Sequence, residues 1–280
     1  MKLFALAMLA LAAPAALASP PERSLLVVCA PGSPGTTAEA QPTMDALAAA
    51  LAAKAGLSAT TLGAVYEDEE ASGVARLRAK DAALALVSLP FYLKYERELA
   101  LRARLQAVPK GRAEADRWAL VARKGRVPGP AALAGFTIAS TAGFAPAFVR
   151  GPALGSWGSV PAGVRVVQSG AVLSALRRAA AGEPVAVLLD GAQEAALASL
   201  PFASELEVVT RSQPLPGGVV AVVGARLAPR SRLALEAALK GLPSDAAGAA
   251  ALDAIQLARF TALDEPALAR ARKAYEEASQ

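Results

Sequence analysis

The sequence predicts an α/β protein built on open, mostly parallel sheets. Three observations predict it. Apolar β-like runs alternate with helical patterns as βαβαβα over the first hundred residues. Such alternation implies right-handed crossovers with helices on both faces of a sheet. Clusters of glycine, proline and small polar residues bracket the apolar runs, and these residues form turns for distinct steric reasons. Several such loops, at 31–37, 66–70, 88–92 and 140–143, fall where strands end. Ligands of open α/β sheets sit beyond the carboxyl ends of strands.

The chain begins with Lys2, an apolar run from Leu3 to Leu17, and Ala16-Leu17-Ala18-Ser19. A charged start, a short hydrophobic run and a small-x-small site make residues 1–18 an expected signal peptide cut after Ala18. The run falls short of the about 20 residues a bilayer span needs, and a retained anchor is the alternative. The chain is expected to be exported. The remainder is long enough for two modest domains or one large one.

Residues 24–30 read as a buried strand. The following loop, Pro31 to Thr37, lacks the Gly-Lys-Ser/Thr ending of a P-loop, which removes a nucleotide reading. A helix is expected over 41–54, with Pro42 in its first turn and Gly56 after its end. Leu57 to Val65 is a weaker strand. Tyr66 and the acidic cluster Glu67-Asp68-Glu69-Glu70 lead into a short helix, 71–80. Four adjacent acids more often open a solvated helix than hold a metal, and no oxygen-ligand spacing is present. A strand over 82–88 and a helix entered at Leu89-Pro90 follow. Further strands are expected at 105–109, 117–123, 164–168, 184–189, 206–210 and 219–224, with helices at 169–181 and 193–200. From Pro229 onward the pattern reads as helices 229–240, 243–254 and 266–278, with 257–263 as a turn.

The stretch from Ala132 to Arg150 draws the functional reading. An apolar run, Phe136 to Ala139, ends in Ser140-Thr141-Ala142-Gly143, and a helical pattern follows to Arg150. The first N–H groups of a helix lack partners, and its dipole is positive there. A strand running into such a start is a ready anion site. On local sequence alone, Ser140 and Thr141 read as helix caps rather than ligand contacts; their place in the chain is what favours a ligand.

The catalytic inventory is thin. The sequence has no histidine, so the commonest general base and metal ligand is missing. The single cysteine, Cys29, lies in an apolar run, has no imidazole partner and cannot form a disulfide within the chain. No Gly-x-Ser-x-Gly elbow or dinucleotide fingerprint occurs. Asp45, Glu39 and Asp190 read as caps or surface charges. The formal charge of +5 is modest. Its cations are scattered, without the dense basic block of a nucleic-acid binder. The balance favours binding over catalysis, with no cofactor and no metal.

The order of the pieces resembles the substrate-binding proteins of ABC transporters for phosphate, phosphite and phosphonate. Asp81 to Tyr92 resembles that family's "Asp-Leu-Ala…Gly-Pro…Tyr" segment. Arg117-Trp118-Ala-Leu-Val-Ala-Arg123 followed by Leu133 to Ala139 is similar to its crossover strand and "Leu-Lys-Gly-Lys" successor. Ser140-Thr141-Ala142-Gly143 stands where the family has Ser-Thr-Ser-Gly. Ser174 to Asp190 and Arg211 to Gly217 resemble two later elements.

The resemblance implies the two-lobed type II periplasmic binding fold, two open sheets joined by two crossover strands and closing on a ligand. Residues 24–117 plus 215–280 would form lobe one and residues 118–214 lobe two. The implied ligand-binding residues are Ser140, Thr141, Ala142 and Gly143, with Tyr66, Tyr92 and Ser33 from the first lobe. Asp190 stands where the family has a carboxylate that receives hydrogens from the ligand. The implied protein is a monomer that hands a small ligand to a transmembrane ABC permease. The alternative is a sensory protein presenting its bound state to a membrane kinase. Two departures stand out. Ala142 replaces the third hydroxyl of the cradle, and Gln168-Ser169-Gly170-Ala171 replaces a segment containing histidine and an acid. A reduced donor set, with Phe136, Phe144, Phe148 and Trp157 nearby, leaves a less polar solute as the other ligand class.

Overall fold

A computed structural model describes residues 23–33 and 35–280. The expected signal peptide lies outside the described residues. The first half runs β1 (Ser24–Cys29), α1 (Thr37–Lys54), β2 (Leu62–Glu67), α2 (Glu70–Arg78), β3 (Ala82–Val87), α3 (Leu89–Tyr95), β4 (Leu101–Pro109), β5 (Ala115–Asp116) and β6 (Ala119–Arg123). The second half runs β7 (Thr137–Ser140), α4 (Pro146–Phe148), β8 (Arg165–Gln168), α5 (Val172–Ala180), β9 (Val185–Leu189), α6 (Gly191–Leu197), β10 (Leu206–Arg211), β11 (Leu215–Pro216), β12 (Gly218–Val223), α7 (Pro229–Gly241), α8 (Ala246–Ala254), β13 (Leu257–Ala262) and α9 (Glu265–Ala278).

Two sheets carry these elements. The larger has strand order β13-β4-β12-β3-β1-β2, the smaller β10-β6-β9-β7-β8. The βαβαβ start gives parallel β2, β1 and β3. The strands beyond them make the sheet mixed rather than parallel. The late strand β12 inserts antiparallel between β3 and β4, and β13 closes the edge antiparallel to β4. The smaller sheet is parallel over β8, β7 and β9, with β6 and β10 added antiparallel.

The chain passes between the sheets twice. The two passages pair as a short antiparallel ribbon, Asp116 opposite Leu215 and Ala115 opposite Pro216. Just beyond it, the Ser212 amide donates to the Trp118 carbonyl at 2.8 Å, and the Trp118 amide to Ser212 Oγ at 3.0 Å. These bonds satisfy buried polar groups that would otherwise cost free energy.

The apolar core has three parts. One lies between the larger sheet and α1, α7 and α8, around Met44, Leu47, Leu51 and Leu239. Another lies under α5 on the smaller sheet, around Leu176, Val185 and Val187. The largest is continuous from one sheet to the other: Val27, Phe91 and Tyr92 join Trp118, Leu120, Phe144 and Phe148 in one buried cluster. Trp118 and Phe148 meet edge to face at 5.0 Å, a favourable quadrupole arrangement. The C-terminal helix α9 contributes Leu268 and Ala271 to this cluster. It packs on the turn Val149–Ala153, where a β-carbon on Gly151 would stand 2.1 Å from the Ala274 carbonyl oxygen.

Several expectations are corrected. The stretch 257–263 is not a turn: Leu257–Ala262 is strand β13, with Phe260 buried. Gln256 at φ 56 reverses the chain after α8, and the backbone of β4 supplies the pairing partner. Helix α1 starts before Pro42, at Thr37. The Thr36 side chain accepts from the Glu39 amide while Glu39 caps back, a capping box that outweighs the proline signal. The helix expected from Ser169 begins at Val172, with no side-chain cap. The helix expected over 144–150 is broken into a 3₁₀ turn (Thr141–Phe144), one turn of α4 and a wide turn over Val149–Ala153. Pro146 and Pro152 lack the amide hydrogens a continuous helix needs.

Candidate ligand-binding cleft

A cavity of about 930 Å³ lies between the two sheets. That is a size suited to a small-molecule ligand. Its walls are the carboxyl ends of strands from both sheets: Pro31–Ser33 after β1, Ser88–Pro90 after β3, Thr141 and Ala142 after β7, and Asp190–Gln193 after β9. The passages between the sheets complete it, through residues 112–118 and 216–218. The loop after β1 reaches the opposite wall. A β-carbon on Gly32 would stand 3.6 Å from Thr141 Cβ, and one on Gly170 would stand 3.3 Å from the Gly32 carbonyl oxygen.

Of the expected ligand residues, Ser33, Thr141, Ala142 and Asp190 line this cavity. Thr141 is half-buried. Its hydroxyl faces no protein partner among the described hydrogen bonds, and it stands at the head of the 3₁₀ turn. Asp190 caps α6: its carboxylate accepts from the Gln193 amide at 2.9 Å, and Gln193 Oε1 accepts from the Asp190 amide at 3.1 Å. One wall of the cavity is thereby held rigid by a capping box.

The structure does not bring the other four to the cavity. Ser140 is fully buried. Its hydroxyl donates to the Leu188 carbonyl at 2.8 Å and accepts from the Ala142 amide at 3.2 Å. That amide, one of the first N–H groups of the turn, is therefore spent inside the protein. Gly143 is buried against β8, where a β-carbon would stand 2.1 Å from the Val167 carbonyl oxygen. Only glycine lets the turn approach that closely. Tyr92, on α3, is buried, and its hydroxyl accepts from Arg272 Nη2 at 2.6 Å. Tyr66 lies on the α1 face of the larger sheet, and its buried hydroxyl has no hydrogen-bond partner. Burial is the main cause that pushes both phenols above their ordinary range.

The cavity also holds charged residues that the strand-end reasoning missed: Arg112, Glu114, Asp116, Arg117 and Glu194. Asp116 sits on β5 with its carboxylate turned to the start of α6. It accepts from the Arg117 amide at 2.9 Å and the Gly191 amide at 3.2 Å, with the Arg112 guanidinium 3.8 Å away. Burial, followed by the negative charge of Asp190, raises the Asp116 carboxyl above the usual carboxylate range. The available sequence signal was the charged run Lys110 to Arg117 just ahead of Trp118. It sits in a connection between sheets, where no strand pattern marks it.

The arrangement can bind but is poorly equipped for chemistry. The first inter-sheet passage brings two guanidinium groups, Arg112 and Arg117, and two carboxylates, Glu114 and Asp116, and Leu89, Pro90, Phe144, Ile255 and Leu257 supply apolar wall. Cys29 borders the cavity but is fully buried, its thiol pushed up to about 12 by burial and then by Glu67. A thiol held there is not a nucleophile at neutral pH. Among the described residues no group of three or more acids, cysteines or histidines could hold a metal. Among them also, no helix is long and apolar enough to cross a membrane.

No protein-family model matches the chain, and no curated protein matches it by sequence. Solved structures do match. A Xanthomonas citri protein bound to chloride ion superimposes with a TM-score of 0.72 at 16% identity, over 91% of this chain and 98% of its own. A binding protein component of an ABC phosphonate transporter from Pseudomonas aeruginosa gives 0.66 at 15%, over 92% and 87%. PhnD1 from Prochlorococcus marinus, in complex with methylphosphonate, gives 0.63 at 13%, over 93% and 99%. Identities this low speak for architecture alone: the superpositions, each over 91% or more of this chain, give it the two-lobed α/β fold of the periplasmic solute-binding proteins.

Proposed function

We propose that this chain is an exported solute-binding protein that captures a small ligand between two lobes and passes it, unchanged, to an ABC permease. Residues 24–117 and 215–280 make up lobe one in this reading, and 118–214 lobe two. Residues 1–18 serve as the export signal. The supporting observation is the cleft itself. Its walls are strand carboxyl ends from both sheets, so a ligand held there touches both lobes at once. Helix α9 qualifies the division, because it packs across onto Val149–Ala153 of the second lobe.

Thr141, Ser33 and Asp190 are the ligand contacts in this reading, joined by Arg112, Asp116 and Arg117 from the passages. The ligand is an oxyanion of the phosphate or phosphonate kind, or a solute with a larger apolar part. Two features support the second class: the Ala142 amide already bonded to Ser140, and the apolar wall at Phe144, Ile255 and Leu257.

Calorimetry tests this with phosphate, phosphite and methylphosphonate at millimolar concentration. A panel of amino acids and short-chain fatty acids runs beside them. Binding of any one should raise thermal stability by mass action, by about 2.7 kcal/mol at a hundred times its dissociation constant. Silence from the three anions with a response from the panel assigns the less polar class. Silence from every compound overturns the solute-binding reading.

A further inference from the structure

The wall of the cleft that carries Thr141 accepts a hydrogen bond from a side chain of the other sheet's unit. Lys94, on α3 of the larger-sheet unit, donates to the backbone carbonyl of Phe144 at 2.7 Å. Phe144 is the last residue of the 3₁₀ turn that begins at Thr141, after β7 of the smaller sheet. The same ammonium donates to the Glu70 carboxylate at 2.6 Å. Glu70 accepts from the Tyr95 hydroxyl at 2.7 Å. Lys94 is thus held from behind by Glu70, with Tyr95 as its support, and reaches forward to the turn.

The surroundings reinforce this geometry. Lys94 Nζ stands 5.3 Å from the Tyr95 ring centre and 5.7 Å from that of Phe144, within cation–π range. Phe91, also on α3, has its ring centre 6.5 Å from that of Phe144. Both side chains of the ion pair are largely covered, with 31% and 24% of the Lys94 and Glu70 side chains exposed. Partial burial strengthens a charge-assisted hydrogen bond relative to one in water. The turn needs such a tie, because no continuous helix anchors it: the stretch is split into three short pieces, Thr141–Phe144, Pro146–Phe148 and Val149–Ala153.

We propose that Lys94 is a positioning residue: a latch from α3 that holds the Thr141–Phe144 turn, and with it one wall of the cleft, against the opposite lobe. It does not line the cavity and acts through the Phe144 carbonyl. Its consequence for ligand capture rests on the cleft being the binding site, whereas the latch itself rests only on contacts between the two sheet units.

Amide hydrogen exchange on the free, full-length protein tests the latch without any ligand. Lys94→Met keeps the hydrocarbon stem and removes the donor, and Lys94→Arg keeps a donor. The Met variant should speed exchange of the amides over residues 142–149 by about tenfold or more, while those of β1, β3, β7 and β9 keep wild-type rates. The Arg variant should restore protection. Exchange over 142–149 within about twofold of wild type in Lys94→Met overturns the latch. So does an equal rise across the whole chain, which would make the contact one of general stability. Methylphosphonate titration of wild type and variant forms a separate arm. Failure of the wild type to bind it bears on the proposed ligand and leaves the exchange result standing.

Discussion

The hydroxyl of Ser140 donates to the backbone carbonyl of Leu188 at 2.8 Å, across from β7 to β9. Both groups are buried at the centre of the smaller sheet. Its neighbour Thr141 faces the cleft instead. Two adjacent hydroxyls therefore have separate duties, and substitutions should separate them. Ser140→Ala leaves a buried carbonyl and the Ala142 amide without partners. It should lower unfolding free energy by about 1–3 kcal/mol in urea melts. Thr141→Val should stay within about 0.5 kcal/mol of wild type, and should weaken ligand capture in titrations. The reverse pattern would place Ser140 in the site and Thr141 in the scaffold.

Two tyrosines should respond with opposite signs. Tyr66 buries a hydroxyl with no partner, so Tyr66→Phe removes an uncompensated desolvation and should leave stability equal or raise it by up to about 1 kcal/mol. The Tyr92 hydroxyl accepts from Arg272 and lies 3.4 Å from the Ala103 amide that donates to it. Tyr92→Phe should cost about 1–2 kcal/mol, since one lost partner is a charged guanidinium. Thermal melts of the two variants side by side read both signs.

Asp116 should make the folded protein less stable as pH rises through the acid range. Its carboxyl is raised by burial and by Asp190, so the folded state holds a proton that the unfolded state has released. Stability then falls with rising pH between the unfolded value, about 3.9, and the raised folded value. Asp116→Asn removes that slope and should be more stable than wild type at neutral pH. Asp81 behaves in the opposite sense. Paired with Arg76 at 2.8 and 2.6 Å, its carboxyl is lowered. Its contribution is present above the unfolded value and lost as pH falls through the lowered one. With a half-exposed side chain it is worth less than about 1 kcal/mol. Urea melts of the wild type, Asp116→Asn and Asp81→Asn across pH 3–8 check the two slopes.

Cys29 should be silent to thiol reagents in the native state. Its sulfur is fully buried, with the thiol pushed up to about 12. A β-carbon on Gly73 would stand only 2.2 Å from it. Labelling at pH 8 should therefore follow unfolding, rising with urea in step with the spectroscopic transition. Rapid labelling of folded protein would show that the loop after β1 opens locally.

Gly143 offers a steric test of the cleft wall. The β8 backbone leaves no room for a side chain there, and overpacking typically costs about 1–3 kcal/mol. Gly143→Ala should cost at least that much in denaturant melts, because the obstructing atoms are backbone rather than a movable side-chain tip. An unchanged melt would mean that the turn shifts freely away from β8.

The alternation of apolar strands with helices was readable because each signal is local: an apolar run such as Ala82–Val87 buries all six residues wherever it ends up. The strand-end loops were readable for the same reason, and Ser33, Thr141, Ala142 and Asp190 do meet at one cavity. What lay beyond local reading were pairings between distant segments. Strand β13 exists because β4 has an open edge far earlier in the chain, at Leu105–Pro109, and nothing within Leu257–Ala262 announces that edge. Asp116 and Arg112 join the cleft only because the second passage, at Leu215–Pro216, folds back beside the first. The direction of a side chain is likewise set in three dimensions. Ser140 and Thr141 are both small hydroxyls at a strand end, and the pleat sends the first to Leu188 and leaves the second facing the cleft. Composition and periodicity therefore decided the layers and the loops, whereas the packing of sheet against sheet decided which of those loops' side chains reach a ligand and which are spent holding the fold.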